Sequence, residues 1–251
     1  MKDFITGLQF LTRIRIYREV EWSAERFGRS VVYFPLVGAV IGALLAGSYW
    51  LLQAYLPLVQ LAFPPHALAA FLVGAHILLT GGLHCDGFMD TMDGIFSGRS
   101  RERMLEIMKD SRVGANGVTA FALFILLKWS LLLDMSVAKL PDVLFLMPVI
   151  GRLVMVIGIT SFPYARQDGM GKAFAQYAGK TALLVAGIYT FALVSVFGMT
   201  ALLLCLAAVG AGLGIAGYIS RKLGGLTGDA YGAITELTEL VVLFLYALFF
   251  S

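Results

Sequence analysis

Runs of about 20 apolar residues recur along almost the whole chain, and no other feature constrains its fold as much. A helix of that length crosses the hydrocarbon core of a bilayer while satisfying its own backbone N–H and C=O groups. Seven spans are predicted, over about 31–54, 66–83, 117–134, 142–162, 181–197, 200–219 and 237–250. The last is short and the fifth and sixth are nearly fused, so the count ranges from six to eight. Only 14% of the residues are charged, against roughly 25% in an ordinary soluble domain, while 59% are hydrophobic. That leaves too little polar surface for a soluble globule. The expected fold is all-α, a polytopic integral membrane helical bundle. No internal repeat or linker divides residues 1–251, so one membrane-embedded domain is expected.

Lysine and arginine set the orientation. Residues 1–30 hold six of them, 84–116 five, 163–180 three and 220–236 two, whereas the opposite loops hold only Lys139. This asymmetry places the N-terminus and the three polar loops in the cytoplasm, with any active site at that face. The opening "MKDFITGLQFLTRIRI" does not read as a secretory signal, because Arg13 and Arg15 break its apolar stretch and no small-residue cleavage site follows. Residues 1–30 read instead as an amphipathic segment at the membrane surface, with Phe4, Leu8 and Leu11 on one face. Two cations fall inside spans, Lys128 and Arg152. A mid-span charge costs at least about 2.5–3.5 kcal/mol on insertion scales, so Arg152 reads as functional or ion-paired. Lys128 can also snorkel or mark a misplaced boundary. His76 reads as a hydrogen-bonded interior histidine.

The stretch "GGLHCDGFMDTMDGIFSGRS", residues 81–100, departs most from this greasy background. At about 100° per residue, Asp86, Asp90 and Asp93 project from one narrow stripe if the segment is helical. Gly87, Gly94 and Gly98 form a neighbouring stripe, open either to a ligand or to another helix. Three close carboxylates repel one another unless a cation sits among them. Magnesium joins a few carboxylates to substrate phosphates, so the cluster reads as a diphosphate–Mg²⁺ site. The same spacing also suits a solvated helix end balanced by Arg99, Arg101 and Arg103. Downstream, Ser100 can cap a short surface helix with an apolar side of Met104, Leu105 and Met108. Lys109 and Arg112 then either complement its dipole or clamp phosphate.

Two further polar insertions share this face. "SFPYARQDGMGKAF" offers Arg166, Asp168 and Lys172, and "RKLGGLTGDAYGAITELTE" offers Asp229, Glu236 and Glu239. Glu236 and Glu239 stand one helical turn apart and either bind metal or mark the water boundary. Other chemistries are excluded. No P-loop, zinc spacing or Ser/His/Asp arrangement exists, Cys85 and Cys205 read as small apolar fillers, and nucleic-acid binding has no footprint.

"GGLHCDGFMDTMDGIFSG" followed by "RERMLEIMKDSRVGANG" strongly resembles the cobalamin synthase family, the adenosylcobinamide-GDP ribazoletransferases. "FLTRIRI", "YFPLVGAVIG", "FPYARQDGMGKAF" and "GGLTGDAYGAITELTEL" extend the likeness over essentially the full chain in the family's order. Cys85 departs from the pattern, which commonly has an acidic residue after the histidine. The resemblance implies a multi-pass enzyme of the bacterial or archaeal inner membrane at a late step of vitamin B12 assembly. It implies joining of adenosylcobinamide-GDP to α-ribazole or its 5′-phosphate, release of GMP, and Mg²⁺ as cofactor. On that reading Asp86, Asp90 and Asp93 hold the metal, one of them or His84 takes a proton, and Lys109, Arg112, Arg152 and Arg166 stabilise phosphate charge. Asp229, Glu236 and Glu239 complete the metal site or hold a polar edge of substrate. The lipid bilayer is the one macromolecular partner implied, and self-association or docking of the other cobalamin assembly enzymes is allowed.

Two rivals remain at this point. A CDP-alcohol phosphotransferase also sets aspartates on membrane helices, but "DGFMDTMDG" lacks its Ala-Arg pair and its wider spacing. A cation transporter needs polar residues in several spans, and only Lys128, Arg152 and His76 qualify.

Overall fold

A computed structural model describes residues 2–17 and 23–250. Part of the predicted surface segment, 18–22, therefore lies outside the described residues. Among those described, the elements are helical apart from one isolated bridge between Tyr164 and Leu226. Two short helices come first, α1 (Lys2–Leu11) and α2 (Ala24–Ser30), the second capped by the Ser23 side chain. The long α3 (Phe34–Tyr55) follows, then α4 (Pro65–Thr80) and α5 (Leu83–Phe96), which meet at a 93° bend. Gly81 and Gly82, with φ of 66° and 71°, make that corner in a conformation few other residues adopt. Next come α6 (Arg101–Ile107), α7 (Ala115–Asp134) and α8 (Leu140–Ser161). The chain ends with α9 (Met170–Tyr177), α10 (Lys180–Ser195), α11 (Gly198–Leu223) and α12 (Gly228–Phe250).

Five of these segments are long and apolar enough to cross a membrane, or seven if each bent pair, α4 with α5 and α9 with α10, counts as one span. α8 is apolar on every side and is buried nearly all round, the core about which α3, α10, α11 and α12 pack. Outward-facing Trp50, Leu78, Leu126, Phe191, Leu206 and Phe244 are exposed, an apolar exterior that suits lipid and not water. The chain is a polytopic membrane helical bundle.

One predicted boundary shifts. α12 begins at Gly228, so the last span has 23 residues and not the short stretch 237–250. Glu236 and Glu239 made its first turns look aqueous, yet both lie inside the bundle. The apolar face of α1 also has a different partner from the one predicted. Leu8 and Leu11 are buried against the protein's own helices, α2 and α3 among them.

Candidate active site

α5, which is not among the five helices long enough to cross a membrane by themselves, packs against the starts of α12 and α7. At its N-terminal half it touches α12 almost backbone to backbone. A Cβ added to Gly87 would lie 2.8 Å from the Asp229 Cα, and one added to Gly232 would lie 3.1 Å from the His84 Cα. At its C-terminal half, the carboxylate of Asp93 accepts the backbone N–H groups of Gly114 and Gly117, each at 2.8 Å. A carboxylate there satisfies donors that the start of α7 leaves unpaired and favours the positive end of its dipole. The glycine stripe is thus open to other parts of the protein: Gly87 receives α12 and Gly94 receives the Met108 side chain.

The predicted stripe of three carboxylates consequently divides. Asp93 is buried with both oxygens committed to α7, whereas Asp86 is exposed and Asp90 half-buried. Asp229 joins the latter two from the first turn of α12, where Thr227 caps the helix by accepting the Ala230 N–H at 3.1 Å. The bridge between Tyr164 and Leu226 ties the 162–169 loop to this corner. It places the Arg166 guanidinium 2.7 Å from the Asp229 carboxylate. Burial pushes the Asp90 carboxyl up to about 7; Asp229 and Asp86 add to the shift, and Arg166 opposes it.

Two recesses meet at Asp86. One, of about 290 Å³, is walled by Phe10, Tyr164, Phe174 and Tyr231 and also reaches His84 and Asp229. The other, of about 560 Å³, brings in Arg13 and Arg15. These two arginines, breaks in an apolar segment and part of the family-like "FLTRIRI", carried no expected role at the site. The Arg13 N–H bonds to the Leu79 carbonyl at 2.7 Å, which carries "TRIRI" to the α4–α5 corner. Tyr164 and Tyr231 also carried no separate signal in the sequence.

Further inside, Lys128, Arg152, Glu236 and Glu239 form one buried network. Lys128 Nζ lies 3.1 Å from a carboxylate oxygen of each glutamate and 3.0 Å from His76 Nδ1. Arg152 Nη1 pairs with Glu239, and its Nη2 lies 3.1 Å from His84 Nδ1. The two cations and two carboxylates cancel. This placement differs from the expected roles: Glu236 and Glu239 are committed to buried cations and not to a metal, and Arg152 is sealed from any surface phosphate. His84 is also buried, and an arginine can only donate, so its Nδ1 accepts and its ring proton stays on Nε2.

Lys109 and Arg112 stand in the open. α6, capped by Ser100 as predicted, ends at Ile107 before either residue. Arg112 pairs with Asp110 at 2.7 Å, while Lys109 shares a shallow surface recess with Arg166 and Asp168. Among the described residues, no three His, Cys, Asp or Glu side chains form a metal cage by themselves. Asp86, Asp90 and Asp229 nevertheless suit magnesium, which takes one or two carboxylates and completes its shell with water and substrate phosphates.

The family model for cobalamin-5-phosphate synthase matches residues 3–247. Among similar proteins is the adenosylcobinamide-GDP ribazoletransferase of Acetivibrio thermocellus, 39% identical over 99% of this chain and 98% of its own length. The proteins of the same name from Alkaliphilus metalliredigens and Desulfitobacterium hafniense are 41% and 40% identical. Their alignments cover 95% and 97% of this chain, and 92% and 95% of theirs. No solved structure matches. The chain belongs to the cobalamin-5-phosphate synthase family and is a membrane-embedded transferase of cobalamin synthesis.

Proposed function

We propose that this chain is an Mg²⁺-dependent adenosylcobinamide-GDP ribazoletransferase of a bacterial or archaeal cytoplasmic membrane, with its aspartate end facing the cytoplasm. The observation that carries the reading is Asp86 at the meeting of two recesses, with Asp229 and Arg166 lining one of them and Asp90 close enough to feel the charge of all three. Two recesses joined at a carboxylate cluster suit a reaction between two substrates, one of them a diphosphate.

The 3′-hydroxyl oxygen of α-ribazole, or of its 5′-phosphate, attacks the phosphorus next to cobinamide. A new P–O bond forms, the P–O bond to GMP breaks, and GMP leaves with the electron pair. Magnesium, when bound, neutralises charge on the diphosphate and its transition state. Asp86, Asp90 and Asp229 would hold it. Arg166 pairs with Asp229 and holds its carboxylate in place, and Arg13 and Arg15 provide positive charge for phosphate oxygens. Lys109 stands near Arg166 as a further cation for the leaving nucleotide. The attacking hydroxyl's proton passes to an aspartate of the cluster. His84 is unsuited to that task, because Arg152 occupies its one free lone pair.

The test uses protein purified in detergent with adenosylcobinamide-GDP, α-ribazole 5′-phosphate and Mg²⁺, with and without EDTA, following GMP and corrinoid by chromatography. Metal-dependent GMP release with a new cobalamin species supports the reading. Folded protein that turns over CDP-alcohol donors instead would replace it with the phosphotransferase rival.

A further inference from the structure

Three residues lining the aromatic recess carry a polar atom that the protein itself leaves unpartnered: His84 Nε2, the Tyr231 hydroxyl and Arg166 Nε, the last on the guanidinium that pairs with Asp229. His84 and Tyr231 are almost fully buried, 2% and 3% exposed. A buried polar group without a partner costs roughly 1–3 kcal/mol, so a ligand that supplies the partner recovers that cost. The Nε2 atom bears the ring proton, since Nδ1 faces the Arg152 guanidinium, and it is therefore a hydrogen-bond donor. The recess thus combines aromatic walls with two uncharged buried groups able to donate, His84 Nε2 and the Tyr231 hydroxyl, apart from the Arg166 guanidinium that Asp229 engages. Its carboxylates, Asp86 and Asp229, are more exposed and stand towards its mouth.

We infer that this recess seats the planar aromatic base of the acceptor nucleoside, with His84 Nε2–H or the Tyr231 O–H donating to the base's one free ring nitrogen. The inference rests on the proposed reaction, whose acceptor is a benzimidazole riboside. That base has apolar edges and a single acceptor nitrogen, its other ring nitrogen being bonded to the ribose. Guanine, the alternative base in the reaction, presents N–H donors along its edge and needs buried acceptors of its own. A volume of about 290 Å³ is on the scale of one nucleoside and far short of a corrinoid. The second recess, with Arg13 and Arg15, suits the charged donor instead. The base would then lie deep beneath Tyr231 while its ribose reaches the aspartates at the mouth.

The experiment measures equilibrium binding to the full chain in detergent by calorimetry. Three ligands are compared: α-ribazole, the same riboside with C–H in place of the free ring nitrogen, and GMP. Wild type is set beside His84→Asn, which retains an oxygen for Arg152 but loses the Nε2 donor, and Tyr231→Phe, which loses one oxygen only. The expected result is α-ribazole binding that falls about tenfold on removing the ring nitrogen, and by a similar factor in at least one variant, with GMP unaffected. Tyr231→Phe is near-isosteric, so the comparison survives if His84→Asn does not fold. Equal binding of the two ribosides, no binding of α-ribazole, or a loss confined to GMP overturns the inference. Turnover is read on the same wild-type preparation. Turnover without base-selective binding sinks the pocket assignment alone, and base-selective binding without turnover sinks the reaction alone.

Discussion

Arg152 and Glu239 form an ion pair between α8 and α12, both side chains wholly buried within the bundle. Lys128, from α7, bonds to Glu239 and Glu236, so three spanning helices are fastened through one neutral set of charges. Replacing one partner strands the other as an uncompensated buried charge, at a cost of about 3–5 kcal/mol. Lys128→Ala and Glu239→Ala are therefore expected to be strongly destabilised. Thermal unfolding in detergent checks this, and a melting temperature within a degree or two of wild type would show that the network is not a fastening.

Asp93 is expected to behave differently from its neighbours in the motif. Its carboxylate holds the first turn of α7, and losing such a cap costs about 1–2 kcal/mol. Asp93→Ala should lower stability by that order, with activity per folded molecule reduced far less than in a variant of Asp86 or Asp90. Turnover normalised to folded protein, beside a denaturation curve, separates the two effects. A fully stable but inactive Asp93→Ala would place this carboxylate in the chemistry.

Asp90 predicts a pH dependence of metal binding. Its carboxyl is pushed up to about 7, mainly by burial, above the ordinary carboxylate value of about 4. In the metal-free protein the protonated form is thus favoured by folding. The Asp90 contribution to stability is present at low pH and is lost as pH rises through about 7. Magnesium reverses this by favouring the carboxylate, and below pH 7 it must displace a proton. The rise in melting temperature on adding Mg²⁺ should therefore grow between about pH 5.5 and about pH 8. A stabilisation independent of pH would mean that the ion binds elsewhere.

The bundle was legible because bilayer-length apolar runs leave few alternatives, and the aspartates stood out against them. Asp86 and Asp90 remained where helical spacing put them, at an accessible corner. Asp93 did not, because spacing shows which residues share a stripe and not which neighbour covers it; the Gly114 and Gly117 amides at the start of α7, 21 and 24 residues later, claim that carboxylate. Glu236 and Glu239 were misread for a related reason. Their polarity suggested water, but Lys128, more than 100 residues earlier, neutralises them inside the bundle. Arg13, Arg15 and Tyr231 join the site only through the tertiary packing of α1, α4 and α12, which no local pattern reveals.

The account rests on Asp90 acting with Asp86 and Asp229 in the chemistry and not in the fold. Its most direct test is the turnover of Asp90→Asn, measured as GMP released per folded molecule at saturating Mg²⁺. Replacing this half-buried carboxylate by a neutral amide relieves repulsion from Asp86 and Asp229, so the variant should melt at or above the wild-type temperature. Its turnover should fall by at least about a hundredfold, the scale on which a lost charge-stabilising group acts. Near-normal turnover from this folded variant would contradict the central claim and remove Asp90 from the reaction.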